Sequence, residues 1–245
     1  MSVLFADMVG FTAAVERLGE DATLSFAQMI YQMMTETVAG HGGSVRSYAG
    51  DSVMAIFGLP EAQEDGALRA CRAALAIHEV FRQAADEIEA QYGIRPQMRA
   101  GVSSGSAMLA QIEGEGAPVT AVGNTVNLAS RIQTLSPAGG CLICDTTRRQ
   151  VEWQVDLNFE GEYDIKGLSK SRKLWRLLSI RDAATRFDAS VARGLSAYVG
   201  RDAERASMVA ALDTARAGGF AAAFFGAGAS SSDSDSDSWS TAPSV

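Results

Sequence analysis

Two aspartates stand at the ends of apolar strands, where a carboxylate is out of place unless it has work to do. Asp7 closes the run Val3-Leu4-Phe5-Ala6 in "SVLFADMVGFT", directly before a glycine-containing turn. Asp51 stands at the glycine turn of "SYAGDSVMAIFG", ahead of a second apolar strand. Singly, each has a plain structural explanation: a strand-end Asp caps the next turn or helix, and Gly-Asp suits a hairpin. Together they point elsewhere, because an opening strand and a hairpin following the first helix are natural sheet neighbours. Two carboxylates about 5 Å apart repel by roughly 3 kcal/mol at an effective dielectric of 20. A proton or a divalent cation removes that cost. Hard oxygen donors without Cys or His favour Mg²⁺ or Mn²⁺, and Mg²⁺ on one or two carboxylates completes its shell with substrate phosphates.

Two further stretches supply what such a site lacks. Gly10, in "MVGFT", lets backbone N–H groups approach anionic oxygens closely. In "VGNTVNLASRIQ", if helical, Asn124, Asn127 and Arg131 share a face at spacings of three and four. An arginine beside an amide suits phosphoryl oxygens as charge develops. The competing explanation is a solvated helix face. The combination points to phosphoryl transfer on a nucleotide.

The elements that must position these residues can be outlined from periodicity. A strand at 3–7 precedes a helix near 19–39, with Leu24, Phe26, Met29, Ile30, Met33 and Met34 along one side. Strands at 44–48 and 52–57 flank Gly50-Asp51 as a hairpin. A long helix is expected near 64–90, with Leu68, Cys71, Leu75, His78, Phe81, Ala85 and Ile88 as its apolar stripe. His78 belongs to that packing. Strands near 98–103, 106–112 and 118–122 lead to the Asn/Arg helix. "CLIC", a short helix at 145–151, and strands near 155–159, 161–166 and 172–178 follow. The order βαββαβ predicts an α+β fold, an antiparallel sheet with helices packed on one face.

Composition limits the alternatives. The 245 residues carry 29 acidic and 21 basic side chains, a net charge of −8. That argues against a sequence-independent nucleic-acid binder. No apolar run has the length of a membrane span, and no signal peptide is evident, so no membrane partner and a cytoplasmic location are expected. Three cysteines do not make a disulfide framework. The lone Cys141-x-x-Cys144 lacks a second metal half-site and is expected as buried strand thiols.

"VLFADMVGFT", "GDSVMAIFG" and "VGNTVNLASR" resemble, in order and spacing, three signature segments of class III nucleotidyl cyclases. The likeness covers about residues 1–178. It implies a ferredoxin-like βαββαβ sheet that forms a head-to-tail homodimer with shared active sites, in which Asp7 and Asp51 hold two divalent ions (Mg²⁺ or Mn²⁺) and Met8 lends only its carbonyl. It further implies that Phe11 and Thr12 lie in the phosphate turn, that Asn127 orients the ribose, and that Arg131 stabilises the α-phosphate. Asn127 and Arg131 would come from the partner of the chain supplying the aspartates. Lys166 falls near a triphosphate-binding lysine of the family, with Lys170 close by.

The resemblance implies ATP as substrate, cyclic AMP and pyrophosphate as products. Ser47 departs from the family at the purine-selecting position, four before Asp51, which is usually Lys for adenine or Glu for guanine. Arg46 is adjacent, but on a strand it is expected to point to the opposite face. Thr120, three before Gly123, resembles the subgroup related to bicarbonate-responsive adenylyl cyclases. Losing one buried hydrogen-bond partner at Ser47 costs about 1–3 kcal/mol. Guanylate cyclase activity and a degenerate, nucleotide-binding or dimerisation module are the alternatives; a diguanylate cyclase is disfavoured because the Gly-Gly-Asp-Glu-Phe motif is absent.

Composition shifts after Ser179. A linker is expected at 179–197. Residues 198–220 resemble the opening of an AAA-like or signal-transduction ATPase domain, with one amphipathic helix. No lysine occurs after Lys173, so a P-loop cannot follow, and a shortened chain or a reading-frame break is expected. The Ser-Asp-rich end, 221–245, is expected to be disordered.

Overall fold

Strand β1 (Ser2–Met8) is buried along almost its whole length, which its run of Val, Leu, Phe and Ala requires. It is an interior strand of a seven-stranded sheet in a computed structural model that describes residues 1–59, 63–111, 119–165, 170–181 and 202–218. Two contact units divide the chain, Met1–Arg193 and Gly194–Val245.

In the first unit, β1 is followed by a short helix α1 (Phe11–Val15) and the long helix α2 (Glu20–Gly40). The hairpin β2 (Ser44–Ala49) and β3 (Ser52–Phe57) comes next. Helices α3 (Gly66–Gln83) and α4 (Ala85–Tyr92) replace the single helix expected at 64–90, breaking at Ala84. The chain continues through β4 (Met98–Ser104), β5 (Met108–Gln111), β6 (Val119–Val122), α5 (Asn124–Leu135), β7 (Cys141–Cys144) and α6 (Asp145–Val151). Strands β8 (Val155–Tyr163) and β9 (Arg172–Ile180) close it. The two strands expected at 155–159 and 161–166 are one strand, kept continuous by irregularities at Asp156/Leu157 and Phe159/Gly161.

The sheet order is β2-β3-β1-β4-β7-β9-β8, with β5 and β6 pairing separately. From the other edge, its first four strands run β4-β1-β3-β2, the ferredoxin-like arrangement. Only β4 and β7 are parallel among the described pairs.

The mixed α+β sheet is as expected, but its helices occupy both faces. Leu4, Ala6 and Met8 pack with Phe26, Ile30 and Met34 of α2 and Cys71, Ile77 and Phe81 of α3. Val3, Met54 and Ile56 point the other way, against Ala129 of α5. Ile132 of α5 continues that second core with Leu142, Cys144 and Leu174. The period-two alternation of β1 feeds both layers, and a strand apolar on both sides needs both covered.

All three cysteines are free and buried. Burial pushes the Cys141 thiol up to about 12, which makes it a packing group rather than a nucleophile. In the second unit, α7 (Asp202–Arg216) is a helix within the expected 198–220 segment. The expected linker beyond residue 181 and the tail at 221–245 lie outside the described residues.

Candidate active site

Asp7 occupies the α5 side of the sheet, continuing the Val3–Phe5 face, and it is buried. A buried carboxylate needs a partner. Arg99, directly opposite it on β4, provides one. Its Nε donates to Oδ1 at 2.7 Å and its Nη2 to Oδ2 at 2.9 Å, a two-pronged ion pair. Nη1 donates to the Thr134 carbonyl at 3.3 Å, near the C-terminus of α5. Arg99 escaped the sequence reading. Its signal was an arginine inside "MRAGVSS", a strand otherwise fit for burial, where a charge demands a counter-charge.

The second aspartate comes to the same sheet end through strand register. β1 and β3 are antiparallel with Ala6 opposite Val53. Continuing that register places Asp7 opposite Ser52 and Met8 opposite Asp51. Asp51 feels the arrangement: burial raises its carboxyl pKa above the ordinary value, the Asp7 charge adds to the rise, and its own backbone N–H and Arg99 oppose it. Arg99 in turn is held further protonated by the Asp7 hydrogen bonds and by the charges of both aspartates. The two carboxylates and the guanidinium form one electrostatic cluster.

The turn carrying Asp51 is tethered from outside the sheet. Tyr31 of α2 donates its hydroxyl to the Gly50 carbonyl. Its ring packs at 5.0 Å on Tyr48 of β2, whose hydroxyl is hydrogen-bonded to Thr35 at 2.9 Å. Burial, then the Asp51 charge, raises the Tyr31 pKa. Gly50 has φ +63, so the turn needs glycine there.

Beyond Asp7 the chain turns sharply. Val9 N–H donates to the Gln97 carbonyl at 2.8 Å, and Gly10 takes φ +74 before α1 begins. Phe11 stacks on Phe26 at 5.9 Å, which anchors its ring in the core; Thr12 is exposed. Met8 buries its side chain on the α2 side, leaving only main chain to the site.

Helix α5 buries Thr125, Ala129, Ile132 and Gln133. Asn124 and Asn127 are therefore turned out and exposed, with Arg131 half-buried. Among the described residues Arg131 has no ion pair or side-chain hydrogen bond. The helix lies close on β4: a Cβ on Gly101 would meet Gln133 N at 2.3 Å and the Ala129 carbonyl at 2.8 Å. Thr125 Oγ1 donates to the Ser106 carbonyl at 2.6 Å, which fixes the N-terminal end.

At Ser47 the strand is not regular. Val45 opposes Ala55 and Ser47 opposes Met54, so Arg46 is the extra residue of a β-bulge. Arg46 and Ser47 consequently share the α5 side, which corrects the opposite-face expectation for a regular strand. Thr120 lies on β6, with Ala110 across from it on β5. Lys166 lies outside the described residues; Lys170 is exposed.

The donor set fits a hard divalent ion. Asp7 and Asp51 offer oxygen only, burial and then the Asp7 charge raise the Asp51 carboxyl, and no Cys or His joins them: among the described residues no cluster of three or more His, Cys, Asp or Glu has metal-site geometry. A two-carboxylate centre leaves coordination positions for phosphate oxygens, the arrangement Mg²⁺ prefers.

Comparison with known proteins gives the family. The family model "Adenylate and Guanylate cyclase catalytic domain" matches residues 1–179. "Adenylate cyclase 1" of Rhizobium meliloti (strain 1021) is 27% identical over 197 residues, 78% of this chain and 29% of that protein. "Adenylate cyclase 2" of the same organism is 29% identical over 176 residues, 67% of this chain and 46% of that protein. The chain thus spans less than half the length of either relative. The adenylyl cyclase CyaB from P. aeruginosa superposes with a TM-score of 0.70 at 25% identity, covering 74% of this chain and 94% of that one. The guanylyl cyclase Cya2 gives 0.71 at 24% identity over 74% and 93%. No helix among the described residues is long and apolar enough to cross a membrane. With the family model spanning nearly the whole first unit and both aspartates drawn to one sheet end, the chain belongs to the adenylate and guanylate cyclase catalytic domain family.

Proposed function

We propose that the chain converts ATP to 3′,5′-cyclic AMP and pyrophosphate at sites shared between two copies of itself. One observation carries the reading: α5 itself stands between the two halves of the machinery. Asp7 and Arg99 lie on the sheet beneath its C-terminal end, whereas Asn127 is on its outward face. A second copy would let a single nucleotide be reached by both sets.

Asp7 and Asp51 would hold the divalent ions, Mg²⁺ or Mn²⁺. When bound, these supply Lewis-acid activation of the ribose 3′-hydroxyl and neutralise triphosphate charge. The chain's own groups do the positioning. Backbone N–H groups of the Gly10–Thr12 turn donate to the phosphate oxygens, with Phe11 pinned to the core to fix that turn. Asn127 of one copy orients the ribose for attack. Arg131 of the same copy is half-buried and unpaired among the described residues, free to meet charge growing on the α-phosphate. Lys166 is a candidate triphosphate contact, and Ser47 and Thr120 flank the base.

The test is purified protein with Mn²⁺ and either ATP or GTP, the products separated by chromatography. Asp7→Ala and Arg131→Ala are each expected to lose cyclic product, and a mixture of the two to regain part of it. Two folded single variants whose mixture stays silent would remove the shared-site geometry. Wild-type protein making no cyclic nucleotide would leave a nucleotide-binding or dimerisation module.

A further inference from the structure

The two oxygens that Asp7 would offer a divalent ion are both engaged by Arg99. Nε donates to Oδ1 at 2.7 Å and Nη2 to Oδ2 at 2.9 Å. Nη1 is held by the Thr134 carbonyl at 3.3 Å, at the negative end of the α5 dipole. The Asp7 hydrogen bonds and the charges of both aspartates keep the guanidinium protonated.

Asp51 is differently placed. Among the described residues it has no ion pair, and its carboxylate is offset only by its own backbone N–H and by the charge of Arg99, to which it has no bond. The two carboxylates are therefore unequal toward a cation: one is available, the other already neutralised. A divalent ion approaching Asp7 meets a positive charge beside the oxygens it needs, and a like charge at that range disfavours it. A metal–triphosphate complex is net negative, so the same charge favours its approach.

Resting on the cyclase reading above, we propose that Arg99 is a positioning residue that competes with the divalent ion for Asp7, and so makes full metal binding depend on the nucleotide. Without nucleotide, Asp51 alone takes the ion. With a triphosphate present, the added negative charge lets Asp7 part from Arg99 and turn to the ion. The coupling is reciprocal: what the nucleotide does for metal affinity, the metal does for nucleotide affinity. The arginine also keeps a buried carboxylate compensated between turnovers, when an unpaired one would be costly.

The experiment measures Mn²⁺ binding to the full chain by electron paramagnetic resonance, with and without a non-hydrolysable ATP analogue, corrected for Mn²⁺ held by the analogue in solution. It compares wild type, Arg99→Gln and the double variant Asp7→Asn/Arg99→Gln, each checked for folding by circular dichroism. Arg99→Gln is expected to tighten Mn²⁺ about tenfold without nucleotide, because a released Asp7 joins Asp51. The analogue should strengthen Mn²⁺ binding about fiftyfold in wild type and much less in Arg99→Gln. A merely structural ion pair would give the opposite sign, since breaking it loosens the site. The double variant exchanges the ion pair for a neutral hydrogen-bonded pair, which keeps the test open where Arg99→Gln alone does not fold. It should keep wild-type Mn²⁺ affinity without nucleotide and lose the enhancement by the analogue. Folded Arg99→Gln with unchanged or weaker Mn²⁺ affinity overturns the proposal. So does a double variant that loses wild-type affinity, which would mean that Asp7 was open to the ion throughout. Either result beside cyclic product from wild type leaves the cyclase reading standing and removes only the competition. Tighter Mn²⁺ in Arg99→Gln, from a chain whose wild type makes no cyclic nucleotide, does the reverse.

Discussion

Asp7 and Arg99 face each other across β1 and β4 and share two hydrogen bonds, 2.7 Å and 2.9 Å long. The aspartate is almost wholly enclosed and the arginine about a quarter exposed, so the pair is shielded from the screening that makes surface ion pairs weak. Removing one partner leaves the other buried and uncompensated. Arg99→Met should lower stability by about 3 kcal/mol. Asp7→Asn in the same background should cost much less than it does alone. A double-mutant cycle by urea denaturation checks this, and a coupling near zero would mean that water already satisfies the carboxylate.

Asp51 predicts a pH signature. Its carboxyl is raised in the folded chain, by burial and then by Asp7. The folded state therefore holds that proton more tightly than the unfolded state, and ionisation weighs against folding. The penalty is full above the raised folded value and fades as pH falls through it. It is gone below the ordinary carboxylate value of about 4. Metal-free Asp51→Asn should melt higher than wild type at pH 7, with the gap closing on acidification. Mn²⁺ should raise the melting temperature of wild type and do little for the variant. Thermal scans across pH, with and without Mn²⁺, decide it; a variant less stable at pH 7 would contradict the raised carboxyl.

Tyr31 should act on metal affinity through the Gly50–Asp51 turn. Tyr31→Phe keeps the ring contact with Tyr48 and loses only the hydroxyl bond to the Gly50 carbonyl. The stability cost should be small, about 1 kcal/mol. Mn²⁺ affinity, measured by electron paramagnetic resonance without nucleotide, should fall severalfold because Asp51 is held less firmly. Unchanged affinity would make Tyr31 a packing residue only.

Gly101 fixes how closely α5 approaches the sheet. An added Cβ would meet backbone atoms of Gln133 and Ala129, which no side-chain rotation relieves. Gly101→Ala should cost about 3 kcal/mol and displace the helix that carries Asn127 and Arg131. Loss of cyclic product is expected even where the variant remains folded by circular dichroism. Wild-type melting would mean the helix packs more loosely than these contacts imply.

Much of the frame was legible in residue order. The alternation of β1, the stripes of α2 and α3 and the glycine at Gly50 are local signals, and local signals survive without knowledge of partners. The break at Ala84 was not legible, because the apolar stripe runs on through it. Nor was the second helical layer: Val3 and Ile56 announce burial, but not which helix covers them. Arg99 was overlooked because a charge in a strand becomes informative only when its opposite number is known.

The sequence by itself determined that Asp7, Asp51, Asn127 and Arg131 are present in a family pattern, and which strands and helix carry them. Tertiary structure alone decided that strand register draws Asp51 toward Asp7, that Arg99 completes the cluster, and that a one-residue bulge turns Arg46 to the side of Ser47. The physical reason is that spacing along a chain specifies side-chain direction only while the strand stays regular. Pairing between distant strands, and any slip in it, is settled by packing on both faces at once.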